Sequence, residues 1–114
     1  MISPTTTYSP GDVVLVPFPF TDRAAAKRRP ALVCSGRGYN TAARHLVLAM
    51  ITTRGHVAWP QDVPVEDLQS AGLTAPSIVR WKVFTLSDTF VIRRIGTLSP
   101  HDRTACRDAH PIVL

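Results

Sequence analysis

The apolar residues of this chain come in short runs, and a proline or glycine stands at the end of nearly every one. Proline lacks an N–H and fixes φ, so it is tolerated at the ends and edges of helices and strands rather than within them. Ten prolines spread through 114 residues therefore leave room only for short elements. Val13 to Phe18 is β-branched and opens on Gly11-Asp12, which predicts a strand that Pro17 and Pro19 keep from being central along its whole length. Residues 21–28 are polar, small and basic, and read as a mobile loop. Ala31 to Ser35 is a second strand, residues 36–40 a turn, and His45 to Thr53 a third strand whose nearly continuous apolarity implies burial on both faces.

Beyond this, Trp59 to Val65 is a weaker extended piece, and Glu66 to Gly72 reads as one helical turn closed by glycine. Ser77 to Thr85 alternates after Val79, with Arg80 and Lys82 on one face and Trp81 and Val83 on the other. Phe90 to Arg93 reads as a further strand ending at Gly96. Ser99-Pro100-His101-Asp102 is a helix start, with Ser99 as N-cap, Pro100 at the first helical position and an acid in the first turn. The helix Asp102 to His110 stops near Pro111. Short strands followed by one terminal helix predict a mainly β protein, a small, partly open antiparallel barrel with helical additions. At this length the chain, residues 1–114, is one domain, without repeats or low-complexity segments.

Thirteen Lys and Arg against eight Asp and Glu give a net charge of +5, and Lys27 and Lys82 are the only lysines. The guanidinium fork matches phosphate oxygens, so the arginine bias favours nucleic acid as a partner; a merely solvated basic surface is the competing reading. Cys34 and Cys106 lack metal-ligand spacing and are expected as buried free thiols in a reducing cytosol. The N-terminal stretch has no basic region followed by an apolar core, and no apolar run nears the roughly 18 to 20 residues of a membrane span. A cytoplasmic protein without membrane contact is expected. Apolar residues make up 45% of so short a chain, which suggests that a second copy covers part of its surface.

Gly11-Asp12, the run Arg29-Pro30-Ala31-Leu32-Val33, Tyr39-Asn40, Met50-Ile51-Thr52-Thr53 and the later Ser77-Ile78-Val79-Arg80 follow one another in an order and spacing that resemble the MazF/PemK family of toxin ribonucleases. The resemblance spans nearly the whole chain. It implies an SH3-like barrel of the kind shared by MazF and CcdB toxins, assembled as a homodimer. It also implies cleavage of single-stranded RNA with neither metal nor cofactor, and inhibition by a cognate antitoxin protein.

Such cleavage uses the substrate's own 2′-hydroxyl as nucleophile, so the protein must position the chain, move protons and stabilise a negatively charged phosphorane. By similarity, Arg29 is the catalytic cation that stabilises this charge, and Thr52 the catalytic hydroxyl. The competing role for Arg29 is an ion pair with Asp12 or Asp22. Lys27, Arg28, Thr53, Arg54, Arg80 and Lys82 are expected to bind the RNA chain. Phe18 and Phe20 are expected stacking surfaces for bases, with Tyr39 and Trp59 also considered and Trp81 read as core or dimer interface. Two departures from the family pattern leave the general base unassigned. Lys82 stands where some members carry a carboxylate, and Ala24-Ala25-Ala26 where others carry an acid in the first loop. Lys82 with a lowered pKa and His56 are the remaining candidates, while His45 starts a strand and His101 and His110 are expected at the surface. The alternative function is a catalytically inactive or protein-targeting module of the same barrel, like the gyrase-poisoning toxins. A structural subunit with an incidentally basic surface is a third.

Overall fold

The apolar run His45–Thr53 forms one of the two central strands of the sheet, as its two-sided apolarity predicts. The computed structural model describes residues 7–18, 27–55 and 57–110. Within it, β1 (Asp12–Phe18), β2 (Lys27–Val33), α1 (Arg37–Ala43), β3 (His45–Thr53), β4 (Val63–Pro64), α2 (Leu68–Ala71), β5 (Ser77–Ser87), β6 (Arg93–Thr97) and α3 (Pro100–Ala109) follow in chain order. The strands form one antiparallel sheet in the order β4-β5-β3-β2-β1-β6, an open half-barrel with β4 and β6 at its edges.

Each face of the sheet carries its own core. On the face covered by the helices, Val13, Leu32, Cys34, Ala49, Ile51, Val79 and Trp81 pack with Ala71 of α2 and Cys106 of α3. On the other, Val14, Val16, Ala31, Val33, Leu46, Leu48 and Leu86 pack with Tyr8, Phe84 and Val91. Neighbours in sequence thus go to opposite cores, as the pleat requires. Each fully buried Val or Leu side chain contributes about 1.5–3 kcal/mol, so the central strands carry much of the stability.

Several boundaries differ from those the sequence predicts, for identifiable reasons. β2 begins at Lys27, because Phe18 and Lys27 already pair with each other; Lys27 and Arg28 are strand residues rather than loop residues. Its pairing with β3 stops at Ala31, beside Pro30, which has no N–H to offer. The turn expected at 36–40 is the start of α1. Its formation rests on buried Asn40, whose amide donates to the carbonyls of Tyr8 and Ser35 at 3.0 Å each. Of the strand expected at Phe90–Arg93 only Arg93 belongs to β6; Phe90 closes a 3₁₀ turn, Asp88–Phe90, capped by Ser87, and Gly96 lies inside β6 rather than at its end. The extended piece Trp59–Val65 contributes only Val63–Pro64 to the sheet. β5 runs two residues past Thr85; its pairing with β3 skips Trp81 and Lys82, which preserves the alternation of faces. Trp81 is core, 8% exposed, and His110 stacks on it at 4.9 Å instead of standing free at the surface.

The start of α3 is as expected, with Ser99 Oγ accepting from the Asp102 N–H. Buried Asp102 in turn accepts from the N–H groups of Glu66 (3.1 Å) and Asp67 (2.9 Å), which fastens the approach to α2 onto α3. A buried carboxylate is tolerable only when so satisfied. Two glycines then let α2 lie against β6. Gly72 takes a left-handed φ of 72°, where a Cβ would strike the Ile95 carbonyl, and a Cβ on Gly96 would strike the backbone of Ser70 and Ala71.

Gly96→Ala is therefore expected to lower stability by about 1–3 kcal/mol, the cost of forcing an extra group into a packed contact, read from urea unfolding midpoints. Cys34 and Cys106 are free and fully buried, and burial pushes both thiols up to about 12. They should resist iodoacetamide at pH 8 in the native protein and react in denaturant. Because an unfolded thiol ionises near pH 8.5, their contribution to stability is intact below that pH and is lost as the pH rises towards 12.

Candidate nucleic-acid interface

Strand register decides which of the sequence-nominated residues can act together. Val16 pairs with Arg29 across β1 and β2, and Thr52 pairs with Ile78 across β3 and β5. β2 and β3 pair Val33 with Leu48, Leu32 with Ala49 and Ala31 with Met50. Carried two residues further, that register brings Arg29 opposite Thr52. Arg29 alternates in phase with Ala31 and Val33, and Thr52 with Leu46 and Leu48, so both belong to the face that the helices leave uncovered. Phe18 and Lys27 pair with each other on the same face, and the Arg29 guanidinium lies over the Phe18 ring at 5.9 Å. Arg28 and Thr53 fall in the opposite phase and so belong to the other face. Arg54 is exposed in the turn after β3, where its N–H donates to the Pro76 carbonyl at 3.0 Å.

The competing role for Arg29 does not materialise among the described residues. Asp12 accepts instead from Arg94 (2.9 Å), from the Thr97 hydroxyl (3.0 Å) and from the Ser9 N–H (2.9 Å). Asp22, Phe20, Ala24-Ala25-Ala26 and His56 lie outside the described residues. Arg29 is exposed and Thr52 half-buried, so the pair is reachable from solvent.

Arg80 occupies the row next to Thr52, opposite Met50, and diagonal neighbours in a sheet lie about 7–8 Å apart. Its guanidinium grips both oxygens of Asp62, at 3.2 and 2.9 Å, and donates to the Val57 carbonyl at 2.9 Å. Those hydrogen bonds hold the Asp62 carboxyl below the usual carboxylate range, and Asp62 keeps Arg80 more firmly protonated in return. With the Arg80 side chain 12% exposed, it organises the loop 57–62 rather than offering an open cation. Lys82 lies over the ring of Trp59 at 4.7 Å. Sequence reasoning names Arg80 and Lys82 but misses Asp62, because the two partners of the ion pair are 18 residues apart and neither belongs to a motif.

Among the described residues, Glu66, His101 and Asp102 bring ligand-capable atoms within 4.8 Å of one another, on the helix side. Asp102 is already committed to backbone N–H groups there, and exposed His101 pairs with Glu66. The sequence reading assigns these residues no metal role. No helix among the described residues is long and apolar enough to cross a membrane.

Residues 9–114 match the family model of PemK-like, MazF-like toxins of type II toxin-antitoxin systems, and the chain belongs to that family. Its fold is shared with solved structures of low sequence identity. A mycobacterial endoribonuclease in complex with its cognate antitoxin superposes with a TM-score of 0.71 at 19% identity, covering 92% of this chain and 90% of that one. The Mycobacterium tuberculosis toxin MazF-mt6 gives 0.69 at 23% identity, covering 86% and 90%. The MazF of a MazE–MazF complex from Deinococcus radiodurans gives 0.70 at 17% identity, covering 92% of each chain. A direct sequence comparison with curated proteins finds no match.

Asp62→Asn should loosen loop 57–62 and cost about 1.5–3 kcal/mol, the usual worth of a charged hydrogen bond. Because the pairing lowers the Asp62 pKa, its stabilisation is present above the unfolded value near 3.9 and is lost as the pH falls through the folded value. Urea midpoints of wild type and variant should accordingly differ at pH 7 and converge as the pH falls below about 4.

Proposed function

We propose that this toxin is an endoribonuclease that cuts single-stranded RNA without a metal, with Arg29 and Thr52 at the scissile phosphate. What supports this reading is the strand register: extended two residues past the last β2–β3 pair, it puts a cation and a hydroxyl opposite each other on the face away from α2 and α3. In the reaction the substrate's 2′-oxygen attacks the adjacent phosphorus and gives up its proton. The bond from phosphorus to the 5′-oxygen breaks, and that oxygen takes up a proton. The products are a 2′,3′-cyclic phosphate and a 5′-hydroxyl. Charge accumulates on the non-bridging oxygens as the phosphorane forms, and a guanidinium that stays protonated at any physiological pH stabilises it there. Thr52 donates its hydroxyl to the same oxygens or orients Arg29. Phe18 holds the guanidinium from beneath, and Lys27 continues the basic row along the strand.

The family membership supports further elements of the same reading: a cognate antitoxin as the inhibitor, a homodimer as the working unit and the cytoplasm as the site of action. Exposed apolar side chains, among them Tyr39, Val57, Val83 and Ile92, supply surface that a second copy or an antitoxin would cover. A protein-targeting module of the same barrel is the rival that Lys82, standing in place of a carboxylate, keeps in play.

A long single-stranded RNA incubated in EDTA separates these readings. Wild type should cut it, Arg29→Ala should cut roughly 10²–10³-fold more slowly, as for loss of one charge-stabilising donor, and Thr52→Ala should be slowed less. RNA left intact by wild type, together with growth arrest on expression, would replace the nuclease with the protein-targeting module.

A further inference from the structure

We infer that Trp59, backed by Lys82, is a stacking platform for a nucleobase of single-stranded RNA flanking the cleaved phosphate. The inference rests on the RNA-directed reading above and adds a base-binding subsite to it. Trp59 is 42% exposed, although indole rings are among the most buried side chains on average. Its loop is nevertheless firmly built. The Trp59 N–H donates to Asp62 Oδ2 at 2.9 Å, the same oxygen that Arg80 holds at 2.9 Å. The buried Trp81 indole donates to the Gln61 carbonyl at 2.7 Å, and Gln61 itself takes a left-handed φ of 63°. A non-glycine residue persists in that conformation when its surroundings over-determine it, and such positions cluster at ligand sites.

The platform is also in the right place. Trp59 is two hydrogen bonds from Arg80, and Arg80 stands on the row adjoining Thr52. Bases stack on aromatic rings irrespective of their identity, and a neighbouring cation adds attraction for the phosphate that follows. Lys82, 4.7 Å from the ring centre, meets that requirement. Exposed Val57 in the same loop offers a second copy some apolar surface, but a cation sits on the ring itself. The Lys82 ammonium lies over the ring, and the nearby Asp62 carboxylate is already neutralised by Arg80, which favours a polyanion.

The test uses a short 2′-O-methyl RNA, which binds but cannot be cut because the attacking hydroxyl is blocked. Tryptophan emission of the wild type should be quenched on titration. Trp59→Phe, which keeps a ring, should lose the quench while binding the labelled oligonucleotide within about threefold of wild type, and Trp59→Ala should bind about tenfold or more weakly at the same salt. Thermal unfolding of both variants confirms that they fold. An affinity of Trp59→Ala within about twofold of wild type overturns the platform, as does a shift of Trp59→Ala from dimer to monomer with unchanged RNA affinity, which would assign the ring to a second copy. Wild type that binds this RNA with a Trp59-dependent quench yet leaves ordinary RNA uncut would sink the nuclease reading and keep the platform. Cutting with an unchanged KM in Trp59→Ala would do the reverse.

Discussion

The register that locks β1, β2, β3 and β5 together is the constraint on which the rest of this molecule depends. Because the middle strands are buried on both faces, a slip of one residue would send Val14, Ala31 and Leu48 to the helix side and Val13, Leu32 and Ala49 to the other. Two-sided burial forbids that slip. The same alignment pairs Val16 with Arg29 and Thr52 with Ile78, and extended two residues past the last β2–β3 pair it puts Arg29 opposite Thr52.

Around that row the molecule uses its charges in two ways. Asp12 and Asp62 each occupy an arginine, Arg94 and Arg80 respectively, and these pairs build structure. Among the described residues Arg29 faces no carboxylate. Its guanidinium lies instead over the Phe18 ring.

Much of the fold was legible because strand-forming runs are local. Gly11-Asp12, the β-branched Val13 to Val16, the apolar β3 and the Ser99-Pro100 helix start all act through neighbours in sequence. What was not legible depends on distant partners. α1 has no local helix signal, and its Asn40 finds its reason only when Tyr8 and Ser35 come near. Gly96 looked like a strand end, but it is a strand interior thinned to admit the backbone of α2. For the candidate site, Arg29 and Thr52 were reached through resemblance, since an arginine before proline and a threonine at a strand end are ordinary. Their alignment, and the separation of Arg28 and Thr53 onto the other face, could come only from strand pairing. Trp59 could be named from sequence only as one aromatic among several, and Asp62 was passed over, because a loop residue acquires meaning from what it is tied to.

The two margins of the sheet have a consequence of their own. An open half-barrel leaves unpaired amide and carbonyl groups at its rims, an invitation to strand-by-strand polymerisation. Here one rim, β6, is five residues long and begins with Arg93 and Arg94. On the other, β4 covers only Ile78 and Val79 of β5, and immediately beyond them the ladder is broken at Trp81 and Lys82, with Lys82 turned outward. Shortness, charge and a kink at the rims all oppose strand-by-strand growth at these edges.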